Sequence, residues 1–291
     1  MVGIRAAQDR ILTRPEKVGP VGGRRFCRIG VRHILLTGLL ICLHSLNASA
    51  QEITVAAASD LQFVFPEVAA RFQKETGHFV KLIFGSSGNF YSQIQNGAPF
   101  DLLFSADMGY PESLEKAGFT EPGTLQRYAT GKLVLWAQRG SSLDVDRGLS
   151  ALLDPGVRKI AVANPAHAPY GRAAVAAMRH QNIYDRVSRK LVLGENISQA
   201  AQFVQSGTAD AAILALALVI APAMKDTGKY CVIPADEYPP IEQAGVILKS
   251  SRQKAVARQF MEFLRRPEIL ALMRDFGFSV SESQEPHGPK P

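Results

Sequence analysis

The sequence predicts an α/β fold, and three observations predict it. Short β-type runs alternate with stretches whose apolar residues recur at helical spacing, which indicates strands and helices arranged in largely parallel sheets. The length of 291 residues is enough to bury two modest hydrophobic cores. Apolar residues make up 46% of the chain and charged residues 20%, a composition typical of a soluble globular protein.

The elements follow from these patterns in chain order. The apolar runs predict strands at 53–58, 79–85, 101–106, 132–138, 159–165, 190–194, 211–218 and 242–249. Helical spacing predicts helices at 61–74, near 89–96, and at 111–118, 171–181, 198–206, 253–265 and 267–277. Pro111 and Pro267 suit first helical turns, and Gly118 and Gly277 suit helix ends. Trp136 lies within an apolar strand and is predicted to be a core residue.

The first fifty residues predict export. A basic stretch, "RRFCRIGVRH" (24–33), precedes the apolar run "ILLTGLLICLHSL" (34–46), and "NASA" (47–50) ends in a small-residue cleavage pattern. As a helix the apolar run would span about 20 Å, against roughly 30 Å for the hydrocarbon of a bilayer. We therefore predict a signal peptide at 1–50 and a periplasmic location, while twin-arginine export and lipid attachment at Cys42 stay open as minor alternatives. The polar tail 281–291 is predicted to be disordered.

The net charge of +7 does not indicate nucleic-acid binding. Residues 1–50 hold eight Lys and Arg against two Asp and Glu, so the remaining residues carry 25 basic and 24 acidic groups. This near-neutral body lacks the basic stripe that nucleic acid requires. Cys27 and Cys42 lie in the predicted signal, so Cys231 is left without a disulfide partner, and no Cys/His spacing resembles a zinc site.

Four strand-to-helix turns are built from small and hydroxyl residues. They are "AAASD" (56–60), "FGSSGNF" (84–90), "NPAHAPYGRAA" (164–174) and "GENISQAAQFV" (194–204). Helix N-termini present unpaired N–H groups and a partial positive charge, so they suit anions. If the two halves of the chain face each other across a cleft, four such turns could surround one anion.

The order and spacing of several segments resemble the periplasmic molybdate-binding proteins of ABC transporters. The resemblance extends over about 53–279 and rests on "ITVAAASDL", "FGSSG", "GAPFDLLFSAD", "NPAHAPYG" and "ENISQAAQFVQSGTADAA". It implies a two-lobed periplasmic binding protein of type II with the ligand between the lobes. The implied lobes are 51–131 plus 241–280 and 132–240. It also implies a permease dimer with a cytoplasmic ATPase as partners, a monomeric binding protein and no cofactor.

The same resemblance implies the ligand-binding residues. Ser59 and Ser87 match the hydroxyl ligands of the first two turns, and Ile197 matches a backbone N–H ligand. Some members use a tyrosine at the position of Ala215, and here the hydroxyl of Tyr170 would replace it. The chemistry agrees independently, because molybdate and tungstate are unprotonated dianions at neutral pH and require only hydrogen-bond donors.

Each residue also has an ordinary structural interpretation. Ser59 could be a helix N-cap, and Ser86 could be a turn residue or could exchange roles with Ser87. Asp60 is expected to point away from the anion and cap its own helix, or alternatively to accept a proton from a ligand such as hydrogen phosphate. Arg172 could reach an oxyanion or lie on a solvated helix face.

Alternative functions stay open at this point. Sulfate, phosphate or another tetrahedral oxyanion could be the ligand. A serine-dependent hydrolase would use Ser87 with His167, although the sequence pairs His167 with no carboxylate and lacks a G-x-S-x-G motif. We therefore predict that the protein is not an enzyme. The effector domain of a transcription factor would need a DNA-binding segment where this chain has an export signal.

Overall fold

A computed structural model describes residues 50–280. Apart from Ala50, the predicted signal peptide lies outside the described residues, and so does the predicted disordered tail. No helix within 50–280 combines the length and apolar character needed to cross a membrane.

Two five-stranded sheets organise the described residues. The first sheet contains β1 (Glu52–Ala58), β2 (Phe79–Gly85), β3 (Leu102–Ser105), β4 (Gln126–Gly131) and β10 (Ile241–Ile247). The second contains β5 (Leu133–Gln138), β6 (Ile160–Ala163), β7 (Leu191–Gly194), β8 (Ala211–Ala215) and β9 (Gly228–Val232). The chain passes from the first sheet to the second at Lys132 and returns through 233–240. The lobe boundaries at 131 and 241 nevertheless remain a prediction.

Both sheets are mixed and not largely parallel. Their strand orders are β2-β1-β3-β10-β4 and β7-β6-β8-β5-β9. Parallel pairing joins β1 to β2 and β3, and β6 to β7 and β8, whereas β10 and β5 are antiparallel to both of their neighbours. These two strands are the ones that follow a passage between sheets, and apolar runs alone carry no information about strand direction.

Nine α-helices cover the sheets in the described part of the chain. They are α1 (Val64–Thr76), α2 (Ser87–Gln95), α3 (Gly109–Lys116), α4 (Pro169–His180), α5 (Tyr184–Val187), α6 (Ile197–Gln205), α7 (Leu216–Val219), α8 (Lys254–Phe263) and α9 (Pro267–Asp275). Short 3-10 segments occur at Ser59–Leu61, Val145–Leu153, Ser188–Lys190 and Ala235–Glu237. Gly118 and Gly277 take positive φ angles just after α3 and α9, as expected of residues that end helices.

The predicted helix at 61–74 begins differently. A single 3-10 turn, Ser59–Leu61, follows β1, and the α-helix starts only at Val64. Pro66 accounts for the break, because a helix that began at residue 61 would need a proline N–H to bond to the carbonyl of Gln62. In α1 that proline falls in the first turn, where no intrahelical N–H bond is required.

Each sheet has its own hydrophobic packing. On the first sheet an edge-to-face aromatic cluster includes Phe65 against Phe104, with centroids 5.0 Å apart, and Phe72 against Phe260 at 5.2 Å. Such pairs add stability beyond the area they bury. On the second sheet Trp136 is 1% exposed, which confirms its prediction as a core residue.

Candidate functional site

The four predicted strand-to-helix turns converge on one small cavity. It is lined by Ala58, Ser59, Asp60, Gly85, Ser86, Ser87, Ala106, Ala168, Pro169, Tyr170, Asn196 and Ile197. The four predicted ligand residues and the two weaker candidates are all in this set, and each is at most 3% exposed. The same cavity is therefore lined by Ser59 and Ile197, which lie 138 positions apart in the chain.

Two serine hydroxyls are available to an occupant of the cavity. The Ser59 hydroxyl makes no hydrogen bond to a described residue, while its carbonyl accepts one from Ser198 Oγ at 3.0 Å. Ser87 Oγ accepts a hydrogen bond from the N–H of Ala106 at 2.9 Å. Because a hydroxyl carries one donor and two acceptor positions, Ser87 keeps its proton free to donate.

Three helix N-termini supply further donors at the cavity wall. Helix α2 starts at Ser87, α4 has Tyr170 in its first turn, and α6 starts at Ile197. The first N–H groups of a helix lack intrahelical acceptors. Asn196 caps α6 by accepting from Ser198 N at 3.0 Å and Gln199 N at 3.1 Å, which leaves the Ile197 N–H as the uncapped donor beside the cavity.

The Ser86 hydroxyl is already hydrogen-bonded to His167. The hydroxyl donates to the carbonyl of His167 at 2.6 Å, and its Oγ lies 2.8 Å from His167 Nδ1. The hydroxyl has only one proton, so Nδ1 must carry a hydrogen and donate it back to Oγ. Ser86 therefore joins the two sheet regions as a turn residue, and an exchange of roles with Ser87 would break both contacts.

The Tyr170 hydroxyl is hydrogen-bonded to Asp60 and Gln243. It donates to Asp60 Oδ2 at 3.0 Å and accepts from Gln243 Nε2 at 3.1 Å. Burial and the charge of Asp60 hold the pKa of Tyr170 well above its usual value, so the phenol stays protonated. In this structure the phenol proton is donated to Asp60, so a contact between this hydroxyl and the anion stays a prediction. The N–H of Tyr170, in the first turn of α4, is the other donor that this residue offers.

Asp60 does not cap a helix, contrary to the favoured sequence interpretation. The side chains at the start of the 3-10 turn and of α1 make no capping bonds. Asp60 Oδ2 instead accepts from Tyr170 and from Gln243 Nε2, the latter at 2.6 Å, and Gln243 Oε1 accepts from the Tyr128 hydroxyl at 2.7 Å. Burial raises the pKa of Asp60 to about 6, although the hydrogen bonds from Gln243 and Tyr170 lower it.

No Lys, Arg or His lines the cavity. Arg172, the arginine that the sequence suggested for an oxyanion, forms an ion pair with Asp107 and lies over the Tyr110 ring at 5.3 Å. Asp107 Oδ1 also accepts from Tyr110 N, in the first turn of α3, at 3.1 Å. Except for Asp60, the wall consists of hydroxyl and amide donors with apolar surroundings, a set suited to an acceptor-only anion.

Glycines allow the turns to approach this closely. A Cβ on Gly88 would lie 2.6 Å from the His167 carbonyl oxygen, and the Gly88 N–H donates to the same oxygen at 2.9 Å. A Cβ on Gly171 would lie 2.0 Å from the Ala163 carbonyl oxygen, so α4 could not pack on the end of β6 with any larger residue.

The hydrolase alternative has little support in this geometry. His167 Nε2 does lie 3.9 Å from Glu195 Oε2, so the expectation that no carboxylate is near it is wrong. Ser87, the proposed nucleophile, is bonded to Ala106 and not to His167. The serine that does contact His167 donates its proton to a carbonyl, and neither arrangement provides a base for a nucleophilic hydroxyl.

Two contributors to the site were missed in the sequence. Gln243 is fully buried in β10 and bonds to Asp60, which lies 183 residues earlier in the chain. A polar residue within the apolar run "EQAGVIL" was the available signal. Asn196 fits the pattern of an N-cap before the helical spacing of α6, and that signal was also readable.

Comparisons with known proteins agree with the fold. A family model described as bacterial extracellular solute-binding protein matches residues 53–279. The molybdate-binding protein ModA of Rhodobacter capsulatus is 38% identical over 234 residues, which cover 80% of this chain and 90% of that protein. ModA of Azotobacter vinelandii is 38% identical over 243 residues, covering 84% and 94% respectively.

A solved structure gives the same result. The periplasmic molybdate-binding protein of Azotobacter vinelandii matches with a TM-score of 0.75 and 38% identity, covering 79% of this chain and 100% of that one. The predicted α/β fold class is therefore confirmed. On these matches, the chain belongs to the family of bacterial extracellular solute-binding proteins.

Proposed function

We propose that this protein captures molybdate in the cavity between the four turns and delivers it to an ABC transporter. The observation that carries the proposal is the convergence of two free serine hydroxyls and three helix N-termini on one cavity without a cationic side chain. Relatives at 38% identity that bind molybdate support the same ligand.

The donor set fits the charge of the anion. Molybdate oxygens only accept hydrogen bonds at neutral pH, and a hydrogen bond to a charged group contributes roughly 1.5–3 kcal/mol. The hydroxyls of Ser59 and Ser87 and the N–H groups of Ser87, Tyr170 and Ile197 together supply on the order of 7–15 kcal/mol before ordering costs. Micromolar to nanomolar binding needs roughly 8–12 kcal/mol, so neutral donors suffice if little energy is lost in closing the site.

Tungstate is proposed as a second ligand, because it shares the tetrahedral shape and the charge of molybdate. Sulfate and phosphate are the competing oxyanions. Sulfate also lacks a proton at neutral pH and differs mainly in size, whereas hydrogen phosphate brings a donor, for which Asp60 is the one carboxyl acceptor in this wall.

The biological setting is proposed from the family and the sequence together. The protein would be exported by the signal peptide at 1–50, act in the periplasm as a monomer, and present the loaded form to a permease dimer driven by a cytoplasmic ATPase. The two lobes at 51–131 plus 241–280 and 132–240 would close on the anion. In this role the protein is a carrier without a cofactor, and it catalyses no reaction.

Calorimetry on the purified protein with molybdate, tungstate, sulfate and phosphate tests the ligand. Replacement of Ser59 or Ser87 by alanine is expected to weaken molybdate binding by about 10- to 100-fold, since each loses one charge-assisted hydrogen bond. Ser92→Ala, on the exposed side of α2, is the matched control and should bind as the unmodified protein does. No binding of molybdate or tungstate would reject the proposal.

A further inference from the structure

Asp60 is the one part of the cavity wall that opposes an anion. Its side chain is 1% exposed and borders the cavity directly after Ser59. A buried carboxylate is costly without a positive partner, and a dianion a few ångströms away would repel it strongly at low dielectric constant. A site for molybdate therefore has to resolve the charge of Asp60.

One oxygen of this carboxyl group has no partner. Oδ2 accepts from both Tyr170 and Gln243. Oδ1 is, among the buried side-chain oxygen and nitrogen atoms of residues 50–280, the one without a hydrogen-bond partner. Buried polar atoms are nearly always paired, so an unpaired atom in the wall of a binding cavity indicates a partner that arrives with the ligand.

We propose that Asp60 binds the oxyanion as a neutral carboxylic acid that donates a hydrogen bond from Oδ1, so that each molybdate captured takes up one proton from solution. This inference rests on the proposed function. The proton comes from solvent, adds to Oδ1 and stays on Asp60. The anion binds without a change in its own protonation. Oδ2 keeps its two hydrogen bonds from Tyr170 and Gln243.

The surroundings of Asp60 favour the neutral form. The groups facing it are the hydroxyls of Tyr170 on α4 and Tyr128 on β4 and the amide of Gln243 on β10. Helices α6 and α7, which also pack against its turn, contain no ionisable residue.

The remaining charges on the neighbouring elements lie away from Asp60. Lys81 of β2 lies beside Thr54 in the strand register, near the end of β1 that is remote from Asp60. Arg127 of β4 forms an ion pair with Glu242 of β10 at the surface. Arg172 of α4 pairs with Asp107, while Arg179 and His180 lie in the last turn of α4. None of these cations pairs with the carboxyl of Asp60 to hold it ionised.

The titration of Asp60 sets the direction of the pH effect. Burial already raises the pKa of the free site to about 6, and a dianion beside it raises that pKa further. Below about pH 6 the free protein carries the proton and affinity is nearly constant. Above that, each binding event must recruit a proton, so the dissociation constant for molybdate should rise about tenfold per pH unit.

Calorimetry of the unmodified protein in buffers of different ionisation enthalpy tests this without any substitution. Between about pH 7 and about pH 8 the proposal expects uptake of close to one proton per molybdate and a roughly tenfold weaker affinity at the higher pH. Uptake near zero with an affinity that is flat over this range would overturn the inference while leaving molybdate binding intact. Failure to bind molybdate at any pH would overturn the proposed function and the inference with it.

Asp60→Asn is the informative variant. Its amide carbonyl can replace Oδ2 as the acceptor, and its NH₂ group can replace the protonated Oδ1 as the donor. The variant should bind molybdate without proton uptake, and its dissociation constant should change less than about twofold between pH 7 and pH 8. Near pH 6 its dissociation constant for molybdate should lie within a few-fold of that of the unmodified protein. A pH slope that persists in the variant would overturn the assignment to Asp60.

Binding of hydrogen phosphate distinguishes a neutral Asp60 that donates a hydrogen bond from an ionised Asp60 that accepts one. If Asp60 acted as an ionised acceptor, hydrogen phosphate would bind more tightly than molybdate at about pH 8 and Asp60→Asn would weaken phosphate most. That result would overturn the inference. The proposal expects molybdate to be preferred, and it expects Asp60→Ala, which has no donor, to bind molybdate more weakly than Asp60→Asn at every pH.

Discussion

Tyr170 performs two separate tasks at the scale of a single residue. Its backbone lies in the first turn of α4 beside the cavity, and its hydroxyl bonds to Asp60 and Gln243. Gly131 makes room for that hydroxyl, because a Cβ there would lie 2.1 Å from Tyr170 Oη. The side chain therefore belongs to a buried hydrogen-bond network that links both sheets, and the proposed anion contact belongs to the main chain.

Tyr170→Phe separates these tasks. The variant removes a hydrogen bond to a buried carboxyl group, which should lower the free energy of unfolding by about 1.5–3 kcal/mol. Because the N–H is unchanged, molybdate affinity should change only a few-fold, measured by calorimetry beside chemical denaturation. Tyr230→Phe, with an exposed ring on β9, is the control. A loss of binding beyond 100-fold with unchanged stability would restore the phenol as a ligand.

Sequence patterns predicted some residues of the site and missed the contacts of others. The turns that hold Ser59, Ser87 and Ile197 followed from local signals, because a strand end and a helix start are readable within a few residues. Within those turns, the resemblance to molybdate-binding proteins singled out these three residues. The role of Asp60 was misjudged, and the hydrogen-bond partners of Tyr170 were not foreseen, because the atoms that they contact lie far away in the chain. Gln243 is the clearest case, since its contacts with Asp60 and Tyr170 span 183 and 73 residues.

At the scale of elements, helix starts determine which donors remain available. Asn196 occupies the N-cap of α6 and satisfies the N–H groups of Ser198 and Gln199, while Ser198 Oγ bonds to the Ser59 carbonyl across the cavity. The cap thus fixes both the start of α6 and the contact of that helix with the first turn.

Two replacements of Asn196 distinguish capping from anion binding. Asn196→Ala should lower the free energy of unfolding by about 1 kcal/mol through the lost cap. Asn196→Asp should keep the cap, because aspartate is an equally good N-cap, yet it should weaken molybdate binding by placing a negative charge at the cavity wall. Thermal denaturation and calorimetry measure the two effects. An aspartate variant that bound molybdate as tightly as the unmodified protein would contradict the electrostatic account.

Most elements were predictable, and those missed share a cause. The strands β1, β2, β3, β5, β6, β7 and β10 were predicted to within a few residues because they are apolar runs. The strands β4 (QRYATG) and β9 (GKYCV) were missed because their sequences lack a continuous apolar run. The other two edge strands, β2 (FVKLIFG) and β7 (LVLG), are equally exposed but mostly apolar in sequence, and were therefore predicted. The strand predicted at 211–218 stops at Ala215, where the equally apolar Leu216–Val219 turns into α7, and such runs do not separate strand from helix.

At the scale of the whole described molecule, the cavity exists because the two sheet regions contact each other around it. The Gly88 N–H and the Ser86 hydroxyl both bond to the His167 carbonyl. Asn89 bonds to Glu195, and Arg172 pairs with Asp107. The Asn89–Glu195 and Arg172–Asp107 contacts are exposed to solvent in whole or in part, so they can form and break at modest cost in stability, as capture and release of an anion require.

Gly88→Val tests this close approach. A Cβ at residue 88 would lie 2.6 Å from the His167 carbonyl oxygen, so the two sheet regions should be held apart and molybdate affinity should fall by at least about tenfold. The near atom outside His167, Tyr110 Oη at 2.5 Å, belongs to the first sheet region and can move with its flexible side chain, so the anion-free protein should unfold near its usual midpoint in denaturant. Gly109→Ala is the control, since a Cβ there has no neighbour within 4 Å. Equal affinities for both variants would contradict this role of the contacts.

The most direct measurement is a crystal structure of the protein grown with tungstate, in which anomalous scattering locates the metal atom. The account predicts that the tungsten lies in the cavity with its oxygens within hydrogen-bond distance of Ser59 Oγ, Ser87 Oγ and the Ile197 N–H, and that no lysine or arginine contacts it. A tungsten atom outside this cavity, or one whose oxygens bond mainly to cationic side chains, would contradict it.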